Sequence, residues 1–164
     1  MITTYISVGS NIEREKHIVA ALEELTQLGS RLRASRVFEA EPVGFEGSNF
    51  FNLVIELETS LSLPLLAKRL REIELKWGRK PDAKKNEDRT LDLDILLYGE
   101  QVSIDAPVLP RQDIYKFAFA LWPMAELCPE KKIPGDGRTF SQLWHSFNHT
   151  QSLWPVELLA VKEY

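Results

Sequence analysis

The sequence predicts a single α+β domain over residues 1–164, with the ferredoxin-like order β-α-β-β-α-β and helices on one face of an antiparallel sheet. Three observations lead to this class. Four segments have the apolar pattern of strands, and two segments between them repeat apolar residues every three or four positions, as helices do. Glycine and proline residues separate these segments. A C-terminal extension follows the last strand.

The first strand and the first helix are predicted within the N-terminal 29 residues. Residues 2–8 alternate as a strand does and run into a Gly-Ser-Asn turn. Ser10 or Asn11 is expected to cap the helix that follows. Its apolar residues recur at helical spacing through 18–28, and Gly29 is expected to end it.

The remaining three strands and the second helix follow in the same way. Residues 31–40 form the predicted second strand, and residues 50–58 form the third after a loop with glycine and proline. Ser62 opens a second amphipathic helix that ends at Gly78. A charged loop then leads to the fourth strand, which lies within residues 86–99.

The C-terminal extension contains a short extended piece and two helical stretches. The extended piece is residues 101–105, and the helical stretches are expected near 119–127 and 138–147. No internal repeat or low-complexity segment is present in the sequence.

Strand periodicity assigns the side chains of the third and fourth strands to two faces. The side chains expected under the helices are Leu91, Leu93, Ile95 and Leu97 on the fourth strand, and Phe51, Leu53, Ile55 and Leu57 on the third. The side chains left on the open face are Asp92 and Asp94, and Phe50, Asn52, Val54 and Glu56. The open face is therefore where a site is expected.

The bulk properties exclude several classes of protein. A net charge of -4 and a pI near 5.5 argue against non-specific nucleic-acid binding. The one cysteine, Cys128, excludes an internal disulfide and a cysteine-based zinc site, and we expect it to be an inert apolar side chain. His17, expected on an exposed helix, His145 and His149 have neither triad nor metal spacing. Without an apolar window of about 20 residues or a secretory signal, we expect a cytoplasmic protein with no membrane partner.

Asp92 and Asp94 are the first candidates for chemistry. Carboxylates at i and i+2 on one strand face lie about 6.5–7 Å apart, so their oxygens can converge on one or two hard cations such as Mg²⁺ or Mn²⁺. Arg79 and Arg89 lie in the loop that leads to them, and guanidinium groups beside divalent cations suit a polyphosphate. A solvated sheet face and ordinary surface salt bridges are the alternatives.

Phe50 and Asn52 form a second candidate pair on the open face. An aromatic ring beside a carboxamide suits a flat heteroaromatic ligand, stacked on the ring and hydrogen-bonded at its edge. The alternative is that Phe50 is covered by the loop of residues 42–48.

Five segments of the sequence carry a specific resemblance: YISVGSN, EAEPVGFEGSNFFNLVIELETSL, LREIELKWGR, DRTLDLDILLYG and FALWPMAELCP. The most specific element is R-T-L-D-L-D-I, and the G-S-N turn supports it. With these segments the chain resembles the 6-hydroxymethyl-7,8-dihydropterin pyrophosphokinase family over roughly residues 1–145. The resemblance implies transfer of the pyrophosphoryl group of ATP to the hydroxymethyl group of the pterin, giving AMP, in folate biosynthesis.

The resemblance also implies roles for individual residues. It implies that Asp92 and Asp94 bind two Mg²⁺ ions, with ATP as the co-substrate. It implies that Arg79 and Arg89 are catalytic residues on the phosphates, and that ATP is bound by these two arginines together with Ile95 and Arg111. The residues that it implies for the pterin are Asn11, Ala40, Val43, Phe50, Asn52 and Phe119.

The sequence departs from the family pattern in its loops. Residues 86–89 read Asn-Glu-Asp-Arg where the family usually has Trp-Gly-Pro-Arg, and Pro81 replaces a second arginine. Arg111 replaces the usual histidine after proline, and Phe117 replaces the usual arginine ahead of the pterin phenylalanine. These departures bear on the contacts that close over ATP.

We therefore expect a monomeric Mg²⁺- and ATP-dependent enzyme with small-molecule substrates and no nucleic-acid partner. Two alternatives stay open. One is a diverged paralogue that binds pterin or nucleotide but transfers weakly or to another acceptor. The other is a non-enzymatic ferredoxin-like binding module.

Overall fold

A computed structural model describes residues 1–84, 86–148 and 150–164 of the chain. Its strands are β1 (Ile2–Ser10), β2 (Ser30–Ala34), β3 (Val37–Ala40), β4 (Phe50–Thr59), β5 (Asp92–Tyr98) and β6 (Leu153–Val156). Its helices are α1 (Arg14–Thr26), α2 (Leu63–Lys76), α3 (Asp113–Lys116), α4 (Ala118–Leu127) and α5 (Phe140–Ser146), with a 3₁₀ turn at Leu159–Val161.

The described strands form one antiparallel sheet in the order β5-β1-β4-β3-β6, with β2 also paired to β4. The predicted α+β class with its β-α-β-β-α-β order is confirmed, because β2 and β3 are two halves of the predicted second strand. The break lies at Ser35 and Arg36, where the chain has one residue more than β4 opposite it. Ser35 keeps the break attached to the sheet: its hydroxyl accepts a hydrogen bond from the Val54 N–H at 3.0 Å.

Helices α1 and α2 cover one face of the sheet and enclose the first core. The predicted inward residues of β4 lie in this core, as do Leu91, Leu93 and Ile95 next to and within β5. The prediction for Leu97 is wrong. Ile6 pairs with Ile95 and Tyr5 with Leu97, so one extra residue bulges from β5 and reverses the alternation beyond it.

The C-terminal extension packs on the other face of the sheet and forms a second core. Both predicted helical stretches are present as α4 and α5, while α3 and β6 were not predicted. The second core joins the sheet residues Tyr5, Val54, Leu96 and Leu97 to Ile114, Leu121, Met124 and Phe140 of the extension. The extension therefore covers part of the predicted open face and leaves the end with Asp92, Asp94 and Asn52 accessible.

The two predicted helix starts have different outcomes. Ser62 caps α2 as expected, since its hydroxyl accepts from the Leu65 N–H at 3.4 Å. The predicted cap of α1 by Ser10 or Asn11 is wrong: the helix begins after Glu13, whose backbone is left-handed with φ 42° and whose side chain makes no capping bond. Asn11 makes other contacts, described below. No helix in the described part of the chain has the length and apolar character needed to cross a membrane.

Candidate active site

A cavity of about 550 Å³ opens on the part of the sheet that the C-terminal extension leaves uncovered. Its floor is formed by β1, β4 and β5, and its walls by the loop 41–49, the loop 79–90 and the segment 111–119. We call it the sheet cavity. Ten of the residues predicted for a site line it: Ala40, Val43, Phe50, Asn52, Arg79, Arg89, Asp92, Asp94, Arg111 and Phe119.

Strand register brings the two candidate pairs of the sequence together on the floor. Gly9 on the central strand pairs with Asp92 on one side and with Asn52 on the other. A side chain at this position would not fit, because a Cβ atom on Gly9 would lie 2.9 Å from the Asn52 Oδ1. The glycine therefore lets the amide of Asn52 lie beside the carboxylates across the floor.

Arg79 connects the floor to helix α2. Its Nη1 lies 3.3 Å from the Asp92 Oδ1 and 3.1 Å from the Oε2 of Glu74. Its Nε–H has no hydrogen-bond partner among the described residues. Because the Arg79 side chain lines the sheet cavity and carries a positive charge, it is placed to bind an anion there. Arg79 thus forms ion pairs with two acids, as the salt-bridge alternative has it, and its phosphate contact stays a prediction.

Glu74 is a buried carboxylate that the sequence analysis missed. It is 5% exposed and accepts a hydrogen bond from the Leu93 N–H at 2.8 Å. Burial raises the pKa of this carboxyl to about 7, and the nearby charge of Asp92 adds to the rise. A signal was present in the sequence, since Glu74 lies four residues after Leu70 and next to Ile73, on the buried stripe of α2.

Arg89 lies against its own loop. It is 8% exposed, its guanidinium forms an ion pair with Glu87 at 3.0 Å, and it donates to the carbonyl oxygens of Lys84 and Asp88. The side chain lines the sheet cavity but is directed to loop atoms. The salt-bridge alternative therefore describes Arg89 as the structure has it, and its phosphate contact stays a prediction.

Asn11 lies outside the sheet cavity and joins its two loops. Its Oδ1 accepts from the Arg89 N–H at 2.7 Å, and its Nδ2 donates to Ser48 O and to Asp88 Oδ1 at 3.1 and 2.8 Å. Its contacts position the loops, and the predicted contact with pterin stays a prediction. Ile95 packs in the first core and does not line the cavity, so its contact with ATP also stays a prediction.

Asp94 lies on the floor with a second arginine. Arg111 Nη2 is 3.5 Å from its Oδ1, and Arg111 Nε is 3.1 Å from the Oδ2 of Asp113. Although 27% of its side-chain surface is exposed, the surrounding protein raises the pKa of Asp94, and the charge of Asp92 raises it further. Two carboxylates that repel each other in this way are stabilised by a cation between them.

The possible metal ligands on the floor are the carboxylates of Asp92 and Asp94. The described residues contain no group of three or more His, Cys, Asp or Glu side chains arranged to hold a metal. Two carboxylates with room in front of them fit Mg²⁺ bound to a substrate, because this ion takes most of its ligands from phosphate oxygens and water. The chemistry of Asp92 and Asp94 thus fits a cation that is shared with a phosphorylated ligand.

The other half of the sheet cavity is aromatic. The ring of Phe50 meets the ring of Phe45 edge to face, with centroids 6.3 Å apart. The loop 41–49 therefore partly covers Phe50, which was the alternative to a ligand site. Phe50 nevertheless lines the cavity. Asn52 is 5% exposed on the floor. Phe119 forms the opposite wall and stacks on Phe117 with ring centroids 5.0 Å apart and planes 13° apart. This half can hold a flat ring.

The other candidate groups that the structure describes, Cys128, His17 and His145, form no second site. Burial raises the pKa of the Cys128 thiol to about 11, which agrees with an inert side chain. His17 is buried, contrary to the prediction of exposure, and its Nδ1 lies 2.6 Å from Ile12 O. His145 bonds within α5, and His149 lies outside the described residues.

Comparison with known proteins identifies relatives over most of the chain. Residues 5–129 match the family described as 7,8-dihydro-6-hydroxymethylpterin-pyrophosphokinase. The 2-amino-4-hydroxy-6-hydroxymethyldihydropteridine pyrophosphokinase of Pseudomonas aeruginosa is 40% identical over 145 residues, covering 85% of this chain and 88% of the relative. The protein of the same name from Bacillus subtilis is 34% identical over 131 residues, covering 77% of this chain and 78% of the relative.

Solved structures support the same fold. An HPPK-DHPS protein in complex with substrates superimposes with a TM-score of 0.69 at 13% identity, covering 88% of this chain and 43% of that chain. The wild-type HPPK-DHPS of Plasmodium falciparum gives a TM-score of 0.68 at 12% identity, covering 88% and 44%. This chain therefore spans less than half of these longer proteins.

Proposed function

The chain belongs to the 7,8-dihydro-6-hydroxymethylpterin-pyrophosphokinase family, and we propose that the sheet cavity is its active site. The protein is an ATP-dependent diphosphotransferase that moves a pyrophosphoryl group to 6-hydroxymethyl-7,8-dihydropterin in folate biosynthesis. One observation carries the assignment of the site: an aromatic slot and a carboxylate–arginine cluster share one floor, joined through Gly9. The family membership also shows that the non-enzymatic alternative is wrong.

The aromatic half would hold the pterin. Phe50 and Phe119 supply faces for the ring, and the buried amide of Asn52 supplies both a donor and an acceptor for its polar edge. Ala40 and Val43 line the same half. A ring held there would direct its hydroxymethyl group along the floor, toward Gly9 and the carboxylates.

The charged half would hold the phosphates of ATP. Asp92 and Asp94 would bind two Mg²⁺ ions, which would neutralise phosphate charge and hold the phosphates in one geometry. Arg79, which lines the cavity, would donate to phosphate oxygens through its guanidinium. Arg89 would join it after leaving its ion pair with Glu87. Both arginines would stabilise negative charge that grows as the pyrophosphoryl group departs.

The transfer balances without a covalent enzyme intermediate. The hydroxymethyl oxygen forms a bond to the β-phosphorus, the bond from this phosphorus to the oxygen bridging to the α-phosphate breaks, and AMP leaves with that oxygen. The hydroxyl proton is released. Positioning and electrostatic stabilisation would supply the rate.

We further propose that the enzyme is a single-domain, cytoplasmic monomer. The supporting observation is that residues from across the chain, from Ser7 to Phe119, line the sheet cavity. Both substrates are small molecules, so the site needs no partner chain. Size-exclusion chromatography with light scattering tests this, and a stable dimer would contradict it.

The experiment that tests the function is a direct assay of AMP. The protein is incubated with ATP, Mg²⁺ and 6-hydroxymethyl-7,8-dihydropterin, and AMP is measured against a control without the pterin. We expect AMP that depends on both the pterin and Mg²⁺. Absence of AMP, together with calorimetric binding of pterin, would favour the diverged paralogue, which is suggested by Arg111 in place of the usual histidine and Pro81 in place of a second arginine.

A further inference from the structure

Arg111 is held in the charged half by ion pairs with two carboxylates. Its Nη2 is 3.5 Å from Asp94, and its Nε, although 3.1 Å from Asp113, is not aligned for a hydrogen bond to any described residue. By contrast, Arg36 pairs with Glu126 through two hydrogen bonds of 2.8 and 2.6 Å. The guanidinium of Arg111 is thus a cation close to Asp94 without a fixed bond to it.

The backbone of Arg111 is attached to the end of β5, and its side chain bridges two carboxylates. The Arg111 N–H donates to Leu96 O at 3.0 Å, which attaches this residue to the end of β5. The side chain is 40% exposed and lies between two carboxylates, Asp94 on the floor and Asp113 on the wall. The guanidinium contacts both carboxylates at once, so loss of the Asp94 contact leaves the Asp113 contact in place.

The two floor carboxylates are each balanced by one arginine. Arg79 contacts Asp92, and among the described residues Arg111 is the cation that contacts Asp94. Without this charge, Asp94 would face the like charge of Asp92 in a partly buried position, which is unfavourable. A divalent cation bound at Asp94 would also balance the negative charge of this carboxylate, and it would repel the Arg111 guanidinium.

We propose that Arg111 is an internal counter-ion that occupies the cation position at Asp94 in the nucleotide-free protein and gives it up to a divalent cation when ATP binds. Asp113 then retains the guanidinium, which is left facing the phosphates. This inference rests on the metal role proposed for Asp94. It implies that divalent cations bind weakly to the protein alone and enter together with the nucleotide.

The test is binding of Mn²⁺ to the nucleotide-free protein, measured from the electron paramagnetic resonance signal of the free ion. Arg111→Gln is expected to bind Mn²⁺ about tenfold more tightly than the wild type, because a competing charge at contact distance is removed. Lys116→Gln is the matched control, since it removes one positive charge from the lining of the same cavity. It is expected to change the affinity by less than about threefold.

Two further variants protect the test from a folding defect. Arg111→Lys keeps the charge, so its Mn²⁺ affinity should stay near that of the wild type. The double variant Asp94→Asn with Arg111→Gln should not show the gain in Mn²⁺ affinity, because the Asp94 carboxylate is the group expected to bind the ion. Circular dichroism melts confirm that each variant is folded before titration.

The outcomes separate this inference from the proposed function. If Arg111→Gln gains no more Mn²⁺ affinity than Lys116→Gln, the counter-ion role is wrong, even if the wild type forms AMP. If the gain is present and depends on Asp94 while the wild type forms no AMP, the counter-ion role holds and the proposed function fails.

Discussion

The two halves of the sheet cavity are prepared for their ligands in different ways. In the aromatic half, packing holds the side chains: Asn52 is 5% exposed, Ala40 is 1% exposed, and Phe119 is stacked on Phe117. In the charged half, the side chains hold one another: Arg79 lies between Glu74 and Asp92, and Arg111 between Asp94 and Asp113. The aromatic half therefore needs little rearrangement when a ligand binds, whereas the side chains of the charged half must exchange their ion-pair partners.

This difference predicts which kinetic constant each half controls. Contacts of a flat ring with fixed walls are present in the ground state and in the transition state alike, so they set the affinity for the pterin. Charges that are repartnered around the phosphates act mainly as the pyrophosphoryl group moves, so they set kcat. This distinction is wrong if variants in the aromatic half do not act mainly on KM, or if variants in the charged half do not act mainly on kcat.

The largest effect is expected in the charged half, from Asp94→Asn. If Asp94 binds a cation as proposed, removal of its carboxylate should lower kcat by about 10³-fold. The fold should not suffer, because the environment that raises the pKa of Asp94 disfavours its charged form. Single-turnover assays measure the rate, and thermal melts should show a Tm at or slightly above that of the wild type.

Leu93→Ala is the matched control for this variant, one residue away on the opposite face of β5. Leu93 lies in the first core, so its truncation should cost about 2–5 kcal/mol of unfolding free energy. In the fraction that stays folded, the chemistry should be kept. If Asp94→Asn melted far below the wild type and kept full activity, both the face assignment and the metal role would be wrong.

The second prediction concerns the aromatic half. Phe119→Ala removes one wall of the pterin slot and should raise the KM for the pterin by about 10–100-fold, since stacking on an aromatic side chain contributes about 1–3 kcal/mol. kcat and the KM for ATP should change by less than threefold or so, because the phosphate contacts are untouched. Steady-state kinetics with each substrate varied in turn measures the three constants. A fall in kcat as large as the rise in KM would mean that Phe119 acts on the transfer step, which is the effect expected of the charged half.

The strands and helices of the β-α-β-β-α-β order and the floor of the site could be predicted from the sequence, because both depend on local periodicity. Alternation along the third and fourth strands placed Phe50, Asn52, Asp92 and Asp94 on one face, and all four line the cavity. The same rule failed at Leu97, where a bulge against β1 reverses the alternation. A bulge depends on the register with a strand about 90 residues away, which local periodicity does not contain.

The partners of the site could not be predicted, since they come from distant segments. Glu74 on α2 reaches the Leu93 backbone of β5, and Arg111, after a long loop, reaches Asp94 of β5. Asn11 is similar: the sequence predicted a cap or a pterin contact, but the residue binds the backbone of Arg89, 78 positions later. Such contacts follow from the packing of loops rather than from any pattern within them.

The third prediction uses the buried acid of the charged half. The ordinary pKa of 4.5 for Glu74 rises to about 7 in the folded protein, so the folded state binds this proton more tightly than the unfolded state. Its stabilising contribution is present below pH 4.5 and is lost as the pH rises through 7. In the nucleotide-free protein we expect Glu74 to lower the unfolding free energy by about 1–3 kcal/mol across this window.

Urea denaturation at pH 5 and pH 7.5 measures this effect. Glu74→Gln should flatten the dependence, because the amide still accepts from the Leu93 N–H without titrating. Some slope should remain from Asp94, whose pKa shifts in the same direction. Glu72→Gln, at an exposed position on the same helix, is the control and should leave the wild-type slope unchanged. An equal slope in the Glu74 variant would mean that Glu74 is ionised in the folded protein throughout.

The smallest effect is expected at Phe117, which supports the pterin wall from behind as well as lining the cavity. Its ring stacks on Phe119 at 5.0 Å, and an aromatic pair of this kind is worth about 0.5–1.5 kcal/mol beyond the area that it buries. Phe117→Ala should therefore raise the KM for the pterin by about 2–10-fold and leave kcat unchanged. Phe117→Leu should have a smaller effect, because leucine keeps apolar contact with the Phe119 ring but not the stacked geometry.

The double variant with Phe119→Ala decides whether Phe117 acts through its neighbour. If it does, removing Phe117 in that background should have no further effect on KM, since the ring that it positions is already gone. An additive loss would mean instead that Phe117 contacts the pterin directly, and the slot would then be three aromatic residues wide.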